Sequence, residues 1–315
     1  MHSLAAIEIL NVSHFYGPRQ ALKELSLDIQ RGEIFAFLGP NGGGKTTLFR
    51  ILSTLLPLSQ GEVRILGKDL RAERTAIQTA LGVVFQSPSL DKKLTVSENI
   101  RHHAALYGLA GGELKKRTAE LLEQLGLSDR GNELTESLSG GLRRRVELAK
   151  SMIHRPQVLL MDEPSTGLDP AARSDLWRYL QRLRSDQNVT VALTTHLLEE
   201  AEKADRLAIL HQGQLAALDT PQALRSSLGG DSITIETPQP EELSAAIQER
   251  FSIETQLVDE HLRLSPKDQP GAVWVARLAE AFPEQIQSIK LGKPTLEDVF
   301  IAKTGHRFWS VKDPV

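Results

Sequence analysis

The 315-residue chain contains no cysteine. Disulfide scaffolds, thiolate zinc sites, iron–sulfur clusters and thiol catalysis are therefore excluded together, and the cytosol is the expected compartment. Long apolar runs are missing too. Stretches such as Val158-Leu159-Leu160-Met161 fall far short of the ~20 residues a spanning helix requires, so work at a membrane would need another chain to carry this one there. The start, Met1-His2-Ser3-Leu4, lacks a basic segment followed by an apolar one, so no secretory leader is expected. Neither sign of charge dominates: 37 Lys and Arg stand against 40 Asp and Glu, a formal −3. That balance argues against a protein that coats nucleic acid, and no specific nucleic acid partner is expected. No internal repeat or low-complexity tract is present.

What remains is ordinary for a globular protein, 40% hydrophobic and 24% charged. At roughly 150 residues per domain, the length suits one large domain or two modest ones. Alternation over Ile7 to Val12 and over Leu25 to Ile29 predicts half-buried strands. Ile34-Phe35-Ala36-Phe37-Leu38 is continuously apolar, as in a strand buried on both faces. Further short strands are expected at 81–85, 158–161, 189–194 and 207–211, with helical spacing between most of them. This pattern favours an α/β domain with a largely parallel sheet. Residues 96–127 read as helical, with Leu106, Leu114, Leu121, Leu122 and Leu125 as core candidates, and form a helical subdomain (about 96–155) inserted into the sheet domain. A boundary is expected near Leu228-Gly229-Gly230-Asp231. It separates a first domain, 1–228, from a small α/β appendage, 231–315.

The decisive segment is Gly39-Pro40-Asn41-Gly42-Gly43-Gly44-Lys45-Thr46, which fits G-x-x-x-x-G-K-[ST]. Phosphate binding needs closely approaching backbone N–H groups, hence glycines, and a helix N-terminus aimed at the anion. Here the loop follows a buried strand and opens a helix. Lys45 would reach the β- and γ-phosphates, and the Thr46 hydroxyl would ligate Mg²⁺. A second apolar strand, 158–161, delivers Asp162 and Glu163 at its carboxyl end, where an α/β sheet presents its ligands. Asp162 would hold Mg²⁺, and Glu163 would orient and polarise an attacking water as general base.

Between them lies Leu138-Ser139-Gly140-Gly141-Leu142, followed by a helix. The order of phosphate loop, glutamine, Ser-Gly-Gly segment, Asp-Glu strand and histidine resembles the nucleotide-binding subunits of ATP-binding cassette (ABC) transporters, over about the first 225 residues. The resemblance implies a P-loop NTPase fold that binds and hydrolyses ATP with Mg²⁺. It assigns Tyr16 to adenine stacking, although a core aromatic on an edge strand would read the same way. Gln86 would sense Mg²⁺ and couple to a membrane subunit, and Thr47 would contact the α-phosphate. Ser139, Gly140 and Gly141 would form a second anion site, acting on the nucleotide of a facing protomer. Asp169 would link the two sites, and His196 would contact the γ-phosphate. Implied partners are a second copy or a homologous cassette, head to tail, and integral membrane permease subunits. The chain would then sit peripherally on the cytoplasmic face of the inner (plasma) membrane.

Two positions depart from the common pattern: Leu142 stands where many cassettes have glutamine, and Ser165 replaces a frequent threonine. Neither supplies the atoms invoked above, and Leu142 points towards exporters. Pro294-Thr295-Leu296-Glu297-Asp298-Val299-Phe300 is similar to an ending found in bacterial drug-, antibiotic- and polysaccharide-type exporter cassettes. By chemistry alone it predicts a capped helix whose Leu296, Val299 and Phe300 pack inward. Arg143-Arg144-Arg145 read as solvated or structural helix charges, and His102-His103 as surface residues. The alternative function is an ABC-type ATPase without a membrane partner, in translation or DNA maintenance. One cassette and no heptad run fit that poorly. A regulatory module that does not hydrolyse ATP is disfavoured by Lys45, Glu163 and His196 together.

Overall fold

The computed structural model describes residues 5–258, 260–266, 268–306 and 308, so the segment read for a leader, 1–4, lies outside the described residues. The chain divides into two compact units, Met1–Leu218 and Asp219–Val315. Helix 221–228, on the near side of the expected boundary, thus groups with the second unit.

The first unit opens with strands β1 (Ile7–Tyr16), β2 (Arg19–Ile29) and β3 (Ile34–Leu38), then helix α1 (Lys45–Leu52). Strands β4 (Gln60–Ile65) and β5 (Lys68–Asp69), helix α2 (Arg74–Ala80) and strand β6 (Leu81–Val84) follow. Three helices come next: α3 (Val96–Ala105), α4 (Gly111–Gln124) and α5 (Gly140–Met152). The unit closes with β7 (Val158–Asp162), α6 (Pro170–Gln187), β8 (Thr190–Thr195), α7 (Leu198–Ala201), β9 (Arg206–His211) and β10 (Gln214–Asp219).

These strands form two sheets. One is antiparallel, in the order β2-β1-β4-β5; the other has six strands in the order β10-β9-β3-β8-β7-β6. In the six-stranded sheet β3 pairs in parallel with β8 and β9, and β7 pairs in parallel with β6 and β8. All five residues of β3 and of β7 are buried, as their unbroken apolar runs require. Helix α1 shares one core with both sheets: its Leu48, Phe49, Ile51 and Leu52 join Ile9 and Leu27 from the first and Phe37 and Leu160 from the second. Each such side chain contributes about 1.5–3 kcal/mol relative to exposure, so the helix that begins at Lys45 is held rigidly.

The helical region is broken where continuity was expected. Helix α3 ends at Ala105, and a left-handed glycine, Gly108 (φ 69°), separates it from α4, which itself opens at left-handed Gly111 (φ 62°). Leu106, expected in the core, therefore projects outward and is 79% exposed. Leu122 and Leu125 are buried, whereas Leu114 and Leu121 are only half-buried. Thr95 and Glu98 start α3 with a reciprocal capping box.

The second unit comprises α8 (Pro221–Leu228), β11 (Ser232–Glu236), α9 (Pro240–Phe251), β12 (Gln256–Val258), β13 (His261–Leu264), α10 (Gly271–Ala281), β14 (Ser288–Gly292) and α11 (Leu296–Thr304). Its sheet runs β12-β13-β11-β14, antiparallel throughout. Ile233, Ile235, Leu262 and Leu264 pack against Leu243, Ile247, Trp274 and Leu278 of α9 and α10. Thr295 and Asp298 form the cap predicted for α11, and Leu296, Val299 and Phe300 are buried. Among the described residues, no helix is long and apolar enough to cross a membrane.

Candidate functional site

Strand register brings the predicted residues together. In the parallel pairs, Leu38 of β3 stands opposite Thr195 of β8, and Asp162 of β7 opposite Thr194 of β8. The chain leaves β3 at Gly39, β7 at Glu163 and β8 at His196, so the loop, both carboxylates and the imidazole emerge side by side at the carboxyl end of one sheet. That is the position where an open α/β sheet offers its crevice.

The loop depends on glycine at two places. A Cβ on Gly39 would stand 2.3 Å from the Leu210 carbonyl oxygen. Gly44 has φ 99° and caps α1, and a Cβ there would meet Ala21 O at 2.8 Å. Helix α1 has no side-chain cap and no acidic residue in its first turn. Its leading N–H groups and positive dipole end are thus left for an external anion. Lys45 is 4% exposed, and its Nζ donates to Gly39 O (2.7 Å) and Pro40 O (2.9 Å). Burial pushes its pKa down, while the charges of Glu163 and Asp162 push it back up. A cavity of about 240 Å³ is lined by Tyr16, Arg19, Asn41 to Thr47, Arg50 and Glu163, among others. Tyr16 is 43% exposed at its rim, which excludes the core-aromatic reading, and its ring meets that of His14 edge-on at 4.8 Å. Thr46 is exposed towards the cavity and Thr47 is buried.

Asp162 and Glu163 are organised by a residue the sequence reading missed. Thr194 Oγ1 donates to Asp162 Oδ1 (2.5 Å) and accepts from the Glu163 backbone N–H (3.0 Å). Its signal was available: the predicted strand 189–194 ends at Thr194, two residues before His196. Burial raises the Asp162 pKa, Thr194 lowers it, and the neighbouring Glu163 charge raises it again. Three side chains converge on Glu163 Oε2. Gln86 Nε2 donates at 3.1 Å, Thr166 Oγ1 donates at 3.3 Å, and His196 Nδ1 lies at 3.2 Å. A buried carboxylate is thereby turned to present one oriented oxygen beside the phosphate loop.

Other predicted residues stand elsewhere. Ser139, Gly140 and Gly141 do not line the cavity. Ser139 caps α5, accepting from Leu142 N–H at 3.3 Å, and both it and Gly140 are exposed. Asp169 is also exposed and caps α6, accepting from Ala172 N–H at 2.9 Å. Of the two alternatives for the arginine run, Arg144 takes the structural one: it is 5% exposed, and its guanidinium bonds backbone carbonyls. The surface reading of His103 needs correction. His103 is half-buried against Tyr107, which stacks on His154 at 3.8 Å, and burial, with the charges of Lys150 and His154, holds its pKa down to about 4.

Residues 22–166 match the ABC transporter family, and residues 220–304 match the C-terminal domain of DrrA1-3-like ATP-binding proteins. The chain is 36% identical to the daunorubicin resistance ATP-binding protein DrrA2 of Streptomyces coeruleorubidus, over 93% of this chain and 92% of that one. It is 34% identical to the linearmycin resistance ATP-binding protein LnrL of Bacillus subtilis, over 94% and 97% respectively. Among solved structures it resembles cbiO1 of Clostridium perfringens, part of the transporter complex cbiONQ. That match has a TM-score of 0.66 and 25% identity, over 79% of this chain and 96% of that one. With nearly its whole length shared with drug-resistance ATP-binding proteins and a phosphate loop beside a carboxylate pair, the chain belongs to the ABC transporter family, as an ATPase coupled to transport.

Proposed function

We propose that this chain binds ATP with Mg²⁺ and hydrolyses it to drive an export permease carried on separate membrane subunits. The convergence of Gln86, Thr166 and His196 on Glu163 Oε2 carries this proposal. The N–H groups of Gly42 to Thr47 and the Lys45 ammonium bind the phosphates, and Tyr16 stacks on adenine. Glu163 accepts a proton from the attacking water as that oxygen bonds the γ-phosphorus and the bond to the ADP oxygen breaks. His196 donates to the γ-phosphate. Among the described residues, no group of three or more His, Asp or Glu could hold a metal by itself. A cation here would rely on phosphate oxygens, with Thr46, Asp162 and Gln86 as protein partners, and this suits Mg²⁺. Bound there, it would neutralise charge on the phosphates. Asp162 retains Oδ2 for that task, since Thr194 engages Oδ1.

Ser139, Gly140 and Gly141 complete the site of a second copy head to tail, with Asp169 at the junction. The exposure of Ser139, Gly140 and Asp169 away from the chain's own cavity supports this. The names of the drug-resistance relatives support export. The first domain, with its helical insertion, carries the ATPase, and the second is an accessory domain; the whole sits at the cytoplasmic face of the membrane through its permease.

Glu163→Gln keeps the shape and the bonds to Gln86 and Thr166 but removes the base. ATP affinity should stay within about threefold while turnover falls about 10²–10⁴-fold. Comparable steady-state phosphate release from variant and parent would refute the assignment. The dimer is tested with Asn41→Cys and Ser139→Cys, which is clean in a chain without cysteine. A disulfide needs Cα atoms about 4.4–6.8 Å apart, so oxidation with ATP should give a product of twice the chain mass. No such product at saturating ATP would reject the shared site.

A further inference from the structure

Arg144 and Glu147 form an ion pair inside the first unit, with Nη1 2.9 Å from Oε2, and the residues are 5% and 2% exposed. Such a pair is a weak source of stability, because removing both charges from water offsets most of their attraction. Burial accordingly pushes Arg144 down and Glu147 up. An apolar pair would fill the same space at less cost, so the location demands another reason.

Each partner has a second task, and both concern one loop. Arg144 Nη1 also donates to Phe85 O (2.7 Å), and Nη2 to Gln86 O (3.3 Å). Glu147 Oε1 accepts from the Ser89 N–H (2.7 Å). One turn further, Lys150 Nζ donates to Ser89 O (2.6 Å) and Oγ (2.9 Å). Positions i, i+3 and i+6 of α5 lie on one helix face, so this face grips residues 85–89 at both ends by backbone atoms. The Phe85 ring also meets Phe49 of α1 edge-on at 5.9 Å. At the centre of the gripped segment, the Gln86 side chain is exposed yet donates to Glu163 Oε2.

We propose that Arg144 is a positioning residue for hydrolysis: its planar fork fixes the Phe85 and Gln86 carbonyls, and so sets the Gln86 amide against Glu163. A shift of α5 is then transmitted through the fork to the carboxylate. The inference rests on the role proposed for Glu163, and it assigns to the middle of three successive arginines a task its neighbours lack. Arg145 instead bonds Leu125 O and Asp175.

The test is a cycle on the full-length chain. Arg144→Lys keeps the charge beside Glu147 but replaces the fork with a point donor. The double variant Arg144→Met with Glu147→Met removes both charges and keeps the volume, so that folding is preserved. Each is measured with Gln86 intact and with Gln86→Ala, for ATP dissociation constant, KM, kcat and melting temperature. Displacement of a catalytic group by about 1 Å costs up to about 100-fold. With Gln86 intact, kcat should fall about ten- to hundred-fold while ATP affinity stays within about threefold; with Gln86→Ala, the same changes should alter kcat less than about twofold. Equal losses in both backgrounds, a rise in KM alone, or parental kcat in both variants would overturn the proposal. A Glu163→Gln variant that retains parental kcat would instead bring down the hydrolysis centre on which it rests.

Discussion

Replacing Thr194 with valine should separate the two carboxylates from the framework that orients them. The residue is 1% exposed, and valine matches its shape. The hydroxyl proton serves Asp162 Oδ1 at 2.5 Å, and the oxygen serves the Glu163 N–H at 3.0 Å. A hydrogen bond to a charged group contributes about 1.5–3 kcal/mol. The second loss is smaller, because the Glu163 N–H retains the Thr194 carbonyl at 3.2 Å. Together they predict a deficit of about 2–3 kcal/mol at neutral pH. Its pH dependence follows from Asp162. Burial already holds that carboxyl above its usual range, and Thr194 partly restores it. With the folded value above the unfolded one, the favourable contribution of the protonated group is present at low pH and is lost as pH rises through the folded value. Valine widens the gap, so the deficit should grow as pH rises above the usual carboxylate range. Denaturant unfolding, with hydrogen exchange along β7 and β8, reads both effects. Thr194→Ser, which restores the hydroxyl, should recover most of the loss. A valine variant within about 0.5 kcal/mol of the parent, or a deficit that shrinks with rising pH, would refute the account.

His103 is held down from 6.5 to about 4. The unfolded chain therefore takes up its proton before the folded one does, and stability is lost as pH falls through that interval. His103→Phe should flatten the fall in melting temperature between about pH 7 and about pH 5, which differential scanning calorimetry would detect. Gly44→Ala places a Cβ 2.8 Å from Ala21 O at φ 99°. Backbone there must shift, so nucleotide titration should show at least about tenfold weaker ATP binding, with strain of about 1–2 kcal/mol.

The loop at 39–46 was legible because its pattern is contiguous: eight adjacent residues specify the strand-to-helix backbone that the fold adopts. Asp162 and Glu163 were legible for a related reason, since an apolar strand announces where its end will lie. The grouping of these residues with Gln86 and His196 came from the resemblance, and only strand order supplies its physical cause. Arg144 was not legible. Three successive arginines are alike in sequence, and tertiary packing alone selects the middle one for burial. Leu106 failed differently: helical spacing counted it with Leu122 and Leu125, but the helix had already ended at Ala105. The antiparallel strands at 60–69 were not read, because Gln60-Gly61-Glu62-Val63-Arg64-Ile65 is too short and polar to announce itself.

Glu163 occupies the left-handed region at φ 42°, a conformation that costs a side-chain-bearing residue of its kind roughly 1–2 kcal/mol. On the role proposed for Glu163, the constraint on this position changes from chemical to conformational in lineages where turnover ceases to be selected. Drift there should then favour asparagine, aspartate and glycine, which enter that region readily, over β-branched residues that would resist it. Cassettes that have lost the acid thus need not accumulate substitutions at random. The backbone has already ranked the replacements, and a degenerate site should carry the imprint of the active one in its choice of residue.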